Sequence, residues 1–305
     1  MSDTSAVLPF GQRLAAAMRE RGPVCVGIDP HPQLLEAWGL PDSPGGVRAM
    51  TDAVVAGVAG HVAAVKPQAA LFERFGSLGV AELEYAIAAC RSAGVLCIVD
   101  AKRGDIGSTM QGYAHAFLKE GSPLAGDAVT LSPYLGFGSL QPAIDVAVEN
   151  NRGVFVLCLT SNPEGASVQH AVREGVSVAA DVARHASQIN AQALGGVPQI
   201  GDIGPVGLVV GATIGRAVSQ TGTDLRAVHG AFLAPGVGAQ GAGPAELATV
   251  FRGTLPNVLA STSRGILRKG PDVHAITEAA KQAVEESRTA LGYPAHQTRT
   301  GKTTG

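Results

Sequence analysis

The sequence predicts a single-domain α/β protein folded as a (β/α)8 barrel, and three observations favour this fold class. Eight short, β-rich apolar segments recur along the 305 residues. Most of these segments are continuously apolar, as expected for parallel strands that are covered on both faces. Segments with a helical pattern separate them, so strand and helix alternate. Eight such units match a barrel of about 250 residues.

The predicted strands start 25 to 39 residues apart, except across the fifth unit. In order they are VCVGID (24–29), AAVKPQ (63–68), LCIVDAK (96–102), DAVTLSPY (127–134), VFVLCLTS (154–161), VGLVVGAT (206–213), AFLAPGVG (231–238) and NVLASTS (257–263). Helical patterns include 14–22, 53–62, 80–94 and 177–194. The fifth unit, from 154 to 206, is the longest, and must contain an extra helix or a long loop. An open, doubly wound sheet is the alternative architecture.

The barrel domain is expected to span 10–292, between polar tails at 1–9 and 293–305. Hydrophobic residues make up 46% of the chain and charged residues 16%, which excludes intrinsic disorder. A net charge of -2 provides no basic field for nucleic acid or an anionic membrane. No secretion signal and no apolar run long enough to cross a membrane is found. We therefore expect a cytoplasmic protein with a small-molecule partner.

The four cysteines have no CxxC spacing, and three lie in apolar, strand-like segments. They are Cys25, Cys90, Cys97 and Cys158. This pattern favours buried, reduced thiols over metal binding or redox chemistry.

The densest group of charges is VDAKRGDIGST (99–109). Asp100 and Lys102 are two apart in a predicted strand, so both side chains project to one face. Charges at such positions are costly unless they pair. Asp105 lies in the loop beyond the strand, and a lysine held between carboxylates keeps its proton and can deliver it to a carbanion. A purely structural ion pair is one alternative; a Mg²⁺ site is another, weakened because the ammonium group competes with the cation.

Two other strands end in charged residues. Asp29 lies in GIDPHP and Lys66 in AVKPQ. The carboxyl ends of barrel strands and the loops that follow them form the active site, so we expect these residues to face it. The alternatives are a turn-forming aspartate and a lysine that extends to the surface.

The last two strands supply a predicted anion site. GVGAQG (236–241) matches GxGxxG, but the segment about twenty residues later has no acid to bind a ribose, which argues against a dinucleotide fold. In barrels, glycine-rich loops at this position commonly bind phosphate. Arg264, in STSRGIL, can bind the phosphate oxygens, although a surface arginine at a helix start is the alternative.

Together these segments resemble a known family. DAKRGDIGST is similar to the DxKxxD signature of orotidine 5'-phosphate decarboxylases, and TSNPEG, PGVGAQG and SRG follow in that family's order, over about 29–264. The charged DAKRGD form and the long fifth unit are similar to the bacterial type 2 subgroup. The resemblance implies conversion of orotidine 5'-monophosphate to uridine 5'-monophosphate and CO2 in de novo pyrimidine biosynthesis, with no cofactor and no metal.

The resemblance also implies roles for the charged residues. Asp29 and Lys66 would hold ribose hydroxyl groups, and Lys66 would also pair with the carboxylates. Asp100 would lie against the substrate carboxylate, while Lys102 protonates C6. Part of each site would come from a second subunit of a homodimer, through Asp105, Ile106 and Thr109.

The remaining residues implied by the resemblance bind the base and the phosphate. Ser161 would contact the pyrimidine, and Gln240 would bridge base and phosphate. The phosphate site would be completed by Gly236, Gly238, Ser263 and Arg264. The segment after Gln240 is short compared with the phosphate-gripping loop of the family.

Two other functions are compatible with parts of the pattern. A sugar-phosphate decarboxylase or aldolase of the same barrel group is similar at DxK but uses Mg²⁺. A catalytically silent nucleotide-phosphate binder would bind uridine 5'-monophosphate without decarboxylating the orotidine compound.

Overall fold

The computed structural model describes residues 7–237 and 241–293. Within these ranges, eight parallel strands form a closed barrel, which confirms the predicted fold class and excludes the open sheet. The described residues contain these eight strands and two short ones, which in chain order are β1 (Val24–Ile28), β2 (Ala64–Pro67), β3 (Leu96–Arg103), β4 (Ala128–Leu131), β5 (Gly153–Leu159), β6 (Val172–Arg173), β7 (Val176–Ser177), β8 (Val206–Val210), β9 (Phe232–Pro235) and β10 (Val258–Thr262). The antiparallel pair β6 and β7 lies outside the barrel.

Closure of the barrel requires the first strand to pair on both sides. Around the barrel the strands follow the order β1, β10, β9, β8, β5, β4, β3 and β2. β1 pairs with β2 and with β10, where Val24 lies opposite Ala260. Every barrel strand is therefore buried between two neighbours, consistent with its apolar sequence.

Helices surround the barrel in the described ranges. They are α1 (Phe10–Arg21), α2 (Pro32–Ala37), α3 (Pro44–Val58), α4 (Ala69–Glu73), α5 (Gly76–Ser92), α6 (Gly107–Leu118), α7 (Gln141–Glu149), α8 (Ala166–Gln169), α9 (Val178–Leu194), α10 (Ala217–Gln220), α11 (Pro244–Val250), α12 (Arg264–Leu267) and α13 (Val273–Leu291). Short 3-10 helices cover Phe137–Leu140, Pro163–Gly165 and Leu255–Asn257. Side-chain caps mark the starts of α9 and α13: Ser177 accepts a hydrogen bond from Ala180 N (3.0 Å), and Asp272 accepts one from Ala275 N (2.8 Å).

The inside of the barrel is filled by one buried residue from each strand. These residues are Cys25, Ala64, Ile98, Ala128, Phe155, Val209, Leu233 and Leu259. α1 covers the amino-terminal end of this interior with Phe10, Leu14 and Met18. The Phe10 and Phe155 rings meet edge to face, with centroids 6.0 Å apart. In the described residues, α1 thus covers the amino-terminal end of the barrel interior.

The long fifth unit contains the extra structure that its length predicts. After β5 the chain forms α8 and the β6–β7 pair before it enters α9 and returns to the barrel at β8. The four cysteines are buried and unpaired, as expected, and burial raises the pKa of Cys25 and Cys158 to about 12. Across 7–237 and 241–293, no helix has both the length and the apolar character needed to span a bilayer.

The chain ends fall partly outside the described residues. Of the predicted tails, only 7–9 and Tyr293 are described. Tyr293 contacts the barrel domain: its hydroxyl group donates a hydrogen bond to Pro256 O (2.9 Å). Burial raises the pKa of Tyr293 to about 12.

Candidate active site

A cleft of about 1930 Å³ opens at the carboxyl end of the barrel. Several predicted site residues line it together, from the ends of six strands and the loops that follow them. They are Asp29, Lys66, Asp100, Lys102, Ser161, Gly236, Ser263 and Arg264. Two predicted residues, Gly238 and Gln240, lie outside the described residues.

Strand periodicity explains why charged side chains reach the cleft. Side chains two apart in a strand point to the same face. Ile98 belongs to the barrel interior, so Asp100 follows it on the inner face at the next step. Ala64 and Lys66 have the same relation in β2. In β2 and β3, an apolar residue inside the barrel is therefore followed by a charged one at its mouth.

The centre of the site is an ion triad. Lys66 Nζ donates to Asp100 Oδ2 at 2.8 Å, and Lys102 Nζ donates to Asp100 Oδ1 at 2.6 Å. The side chains of Lys66 and Asp100 are only 8% and 9% exposed, whereas that of Lys102 is 45% exposed. One ammonium group is therefore buried with the carboxylate, and the other faces the open cleft.

The triad keeps its charges despite burial. Burial alone would lower the pKa of Lys66, but the negative charges of Asp100 and Asp29 outweigh this effect and raise it. Burial alone would raise the pKa of Asp100, but Lys66 and Lys102 hold it well below its ordinary value. The Asp100 carboxylate and the Lys66 ammonium group therefore both stay charged at neutral pH.

The backbone of Lys102 is strained. Its φ is 48°, in the left-handed region that residues with a side chain rarely adopt. The ladder between β3 and β4 is irregular at the same place, because Val99 pairs with Val129 but Arg103 pairs with Leu131. Such irregularities redirect side chains near active sites. Here the irregular segment holds the Lys102 ammonium group against Asp100.

Asp29 follows β1, which β2 separates from β3 in the barrel. Its Oδ1 atom is buried and has no hydrogen-bond partner within the described residues. A buried carboxylate oxygen without a partner is costly, so the atom is available to accept a hydrogen bond from a ligand. Gly27 makes room for this arrangement: a β-carbon there would lie 2.1 Å from Ser263 Oγ and 2.8 Å from Asp29 Oδ2.

The predicted phosphate side of the cleft is formed after β9 and β10. Gly236 has a φ of 89°, and its carbonyl oxygen accepts a hydrogen bond from Ala242 N at 2.7 Å. Glycine adopts this backbone conformation without strain. Ser263 and Arg264 follow β10, where α12 begins, and Arg264 is exposed. A guanidinium group and a tight glycine turn thus face the same cleft.

Known proteins share this sequence and architecture. A model of the orotidine 5'-phosphate decarboxylase / HUMPS family matches residues 22–279. The chain is 54% identical over 284 residues to orotidine 5'-phosphate decarboxylase from Streptomyces coelicolor, covering 93% of this chain and 98% of the relative. The chain belongs to this decarboxylase family. A relative of the same name from Salinispora arenicola is also 54% identical, over 92% of this chain and 98% of its own length.

A solved structure supports the same assignment. A crystal structure from Streptomyces avermitilis, provisionally described as an orotidine 5'-phosphate decarboxylase, superposes with a TM-score of 0.88 and 52% identity. The match covers 96% of this chain and 99% of that one. The resemblance to the decarboxylase family and the predicted barrel are both confirmed.

Three residues predicted from the decarboxylase signature do not line the cleft. Asp105, Ile106 and Thr109 lie in the loop after β3 and the first turn of α6. Asp105 Oδ1 accepts a hydrogen bond from Ile106 N at 2.8 Å, and the Ile106 side chain is 62% exposed. Within one chain these residues are not part of the cleft lining.

Two residues that the sequence analysis missed hold Asp100 in place. Gln68 Nε2 donates to Asp100 Oδ2 at 3.0 Å, and Thr130 Oγ1 donates to Asp100 Oδ1 at 2.8 Å. For Gln68 a signal existed, since it lies two residues after Lys66 and therefore on the same face of the chain. Each oxygen of the family's signature aspartate thus receives two hydrogen bonds.

The donor set does not favour a divalent cation. Both oxygens of Asp100 are occupied by ammonium groups. In the part of the chain that the structure describes, no cluster of three or more His, Cys, Asp or Glu side chains is arranged to hold a metal. The Mg²⁺ interpretation of the signature therefore has no matching set of oxygen ligands.

Proposed function

We propose that the protein is an orotidine 5'-phosphate decarboxylase, a carboxy-lyase that forms uridine 5'-monophosphate and CO2 without a cofactor. The observation that carries this proposal is the triad: the Lys102 ammonium group faces the cleft and is held 2.6 Å from a carboxylate. The named relatives, which match nearly the whole chain, support the same reaction. A cytoplasmic location stays a prediction.

In the proposed mechanism, the bond between C6 of the pyrimidine and its carboxylate carbon breaks, CO2 leaves, and the electron pair stays on C6. A carbanion at this position is costly in water, so the site must stabilise it more than the bound substrate. The fixed positive charge of Lys102 does so and then transfers a proton to C6. A C6–H bond forms, and the neutral amine recovers its proton from solvent.

Asp100 contributes in two ways to the proposed reaction. It orients the Lys102 ammonium group through a hydrogen bond of 2.6 Å. Its negative charge also opposes the substrate carboxylate in the ground state, and this repulsion disappears as CO2 forms. The buried Lys66 keeps Asp100 ionised, because its charge helps to lower the Asp100 pKa.

The other residues of the cleft are proposed to bind the rest of the nucleotide. Asp29 and Lys66 hold the ribose hydroxyl groups; the unpartnered Asp29 Oδ1 supports this role for the first. Ser161 contacts the pyrimidine, and Gln240 bridges base and phosphate. Gly236, Gly238, Ser263 and Arg264 bind the phosphate. The free energy of phosphate binding helps to order the site around the reacting ring.

We further propose a homodimer with shared sites. Asp105, Ile106 and Thr109 lie outside their own cleft, and the exposed Ile106 side chain supports a role at a subunit surface. Mixing Asp105→Ala and Lys102→Ala subunits then restores part of the activity, because one site of each heterodimer has both residues intact. Heterodimers of verified composition that remain inactive would contradict the shared site.

The reaction is tested by following the absorbance of orotidine 5'-monophosphate with and without EDTA. The proposal expects decarboxylation at the same rate in both samples. Activity lost in EDTA and restored by Mg²⁺ would favour the sugar-phosphate chemistry instead. Binding of uridine 5'-monophosphate with no change in substrate absorbance would indicate a silent binder.

A further inference from the structure

Thr130 is a buried polar residue of β4 that is only 1% exposed. It is not among the residues that line the cleft, so it has no direct access to a ligand. Its hydroxyl group nevertheless makes two hydrogen bonds to the triad. Lys102 N donates to Thr130 Oγ1 at 2.9 Å, and Thr130 Oγ1 donates to Asp100 Oδ1 at 2.8 Å.

The direction of both hydrogen bonds is fixed by chemistry. A backbone N–H group can only donate, and an ionised carboxylate can only accept. The single proton of the Thr130 hydroxyl group therefore points at Asp100, while its oxygen accepts from Lys102. The low pKa of Asp100 keeps the carboxylate ionised and maintains this arrangement.

The hydrogen bond from Lys102 N to Thr130 takes the place of a backbone hydrogen bond between β3 and β4. Between Val99 and Arg103 the β3 strand has more residues than the facing part of β4, between Val129 and Leu131. Backbone groups in such a bulge lose their ladder partners and need others. The Thr130 side chain supplies the partner for Lys102 N, at the residue whose φ is 48°.

We propose that Thr130 is a positioning residue for the decarboxylation: its hydroxyl group sets both the strained Lys102 backbone and the Asp100 carboxylate, and so aims the ammonium group at the reacting carbon. This inference rests on the proposed function. It assigns the hydroxyl group an effect on the chemical step and little effect on binding of the nucleotide.

The test is the variant Thr130→Val, which keeps the branched shape and removes the hydroxyl group. We expect kcat to fall roughly tenfold to a hundredfold, since small displacements of reacting groups cost this much. KM for orotidine 5'-monophosphate should change less than about threefold, because ground-state contacts stay in place. Thr130→Ser restores the hydroxyl group and should bring kcat to within about threefold of the wild type.

A matched control is Thr51→Val in α3. Thr51 is fully buried, its hydroxyl group donates to Val47 O at 2.9 Å, and neither residue lines the cleft. This variant loses a buried hydroxyl group of the same kind and should keep the wild-type kcat. A general effect of removing a buried hydroxyl group would lower activity in both valine variants and would contradict the positioning role.

Other results separate the inference from the function on which it rests. A folded Thr130→Val protein with wild-type kcat overturns the positioning role and leaves the proposed function intact. If Thr130→Val does not fold, Thr130→Ser decides the question, because a folded serine variant with kcat reduced more than about tenfold also overturns the role. A wild-type protein with no decarboxylase activity overturns the proposed function itself.

Discussion

The stability of the triad can be tested by replacing Asp100 with asparagine. The change keeps the side-chain shape but leaves Lys66, 8% exposed, without the carboxylate that lies 2.8 Å away. Removing one partner of a buried ion pair costs about 3–5 kcal/mol. At about 2 °C per kcal/mol for a protein of this size, the melting temperature should fall by roughly 6–10 °C.

The matched variant is Lys102→Met, which removes the half-exposed partner of the same carboxylate. Exposed pairs contribute about 0–1 kcal/mol, so we expect a shift of at most about 2 °C. Both variants are compared with the wild type by differential scanning calorimetry at neutral pH. Equal shifts for Asp100→Asn and Lys102→Met would refute the reasoning, because burial would then not distinguish the two pairs.

The pH dependence of folding stability gives a second test of Asp100→Asn. In the wild type the folded-state pKa of Lys66 is raised, so its stabilising contribution is present at neutral pH and is lost as the pH rises through that pKa. Without Asp100, burial lowers the pKa of Lys66 below the unfolded value of about 10.4. The unfolded variant then binds more protons than the folded one, so its stability increases with pH. The melting temperature of Asp100→Asn should therefore come closer to that of the wild type as the pH rises from about 7 to about 9.5.

Two further substitutions test close packing beside the cleft and a set of buried hydrogen bonds between α9 and the backbone. In Gly27→Ala the new β-carbon displaces the ends of Ser263 and Asp29, so KM should rise roughly tenfold while the melting temperature changes little; steady-state kinetics with an unchanged KM would contradict this. In Asn190→Ala, three buried backbone groups lose hydrogen bonds of 2.7–2.9 Å, which should cost about 2–4 kcal/mol in urea unfolding. A loss below about 1 kcal/mol would show that the backbone groups find other partners.

The barrel could be predicted from the sequence because eight mostly apolar, strand-like segments alternate with helical patterns. For the barrel strands, the differences lie at the strand ends. The predicted fourth strand, 127–134, is observed only as Ala128–Leu131, and Pro133 has no N–H group to continue the ladder. The β6–β7 pair could not be predicted, since strands of two residues carry no periodic signal.

The site could be predicted only where its residues share a short segment or a strand end. Asp100 and Lys102 were recognisable because two charges interrupt an apolar strand. Thr130 was not, because its role depends on a partner 30 residues earlier in the chain, across the ladder of a neighbouring strand. The strained φ of Lys102 is likewise a property of strand pairing, which the local sequence does not encode.

The central claim is that the Lys102 ammonium group stabilises and protonates the C6 carbanion. The most direct measurement is the turnover of orotidine 5'-monophosphate by Lys102→Ala, alongside calorimetric titration with uridine 5'-monophosphate. The claim predicts a loss of at least about a thousandfold in kcat/KM with product still bound by a folded protein. Turnover close to that of the wild type in the same folded variant would contradict it.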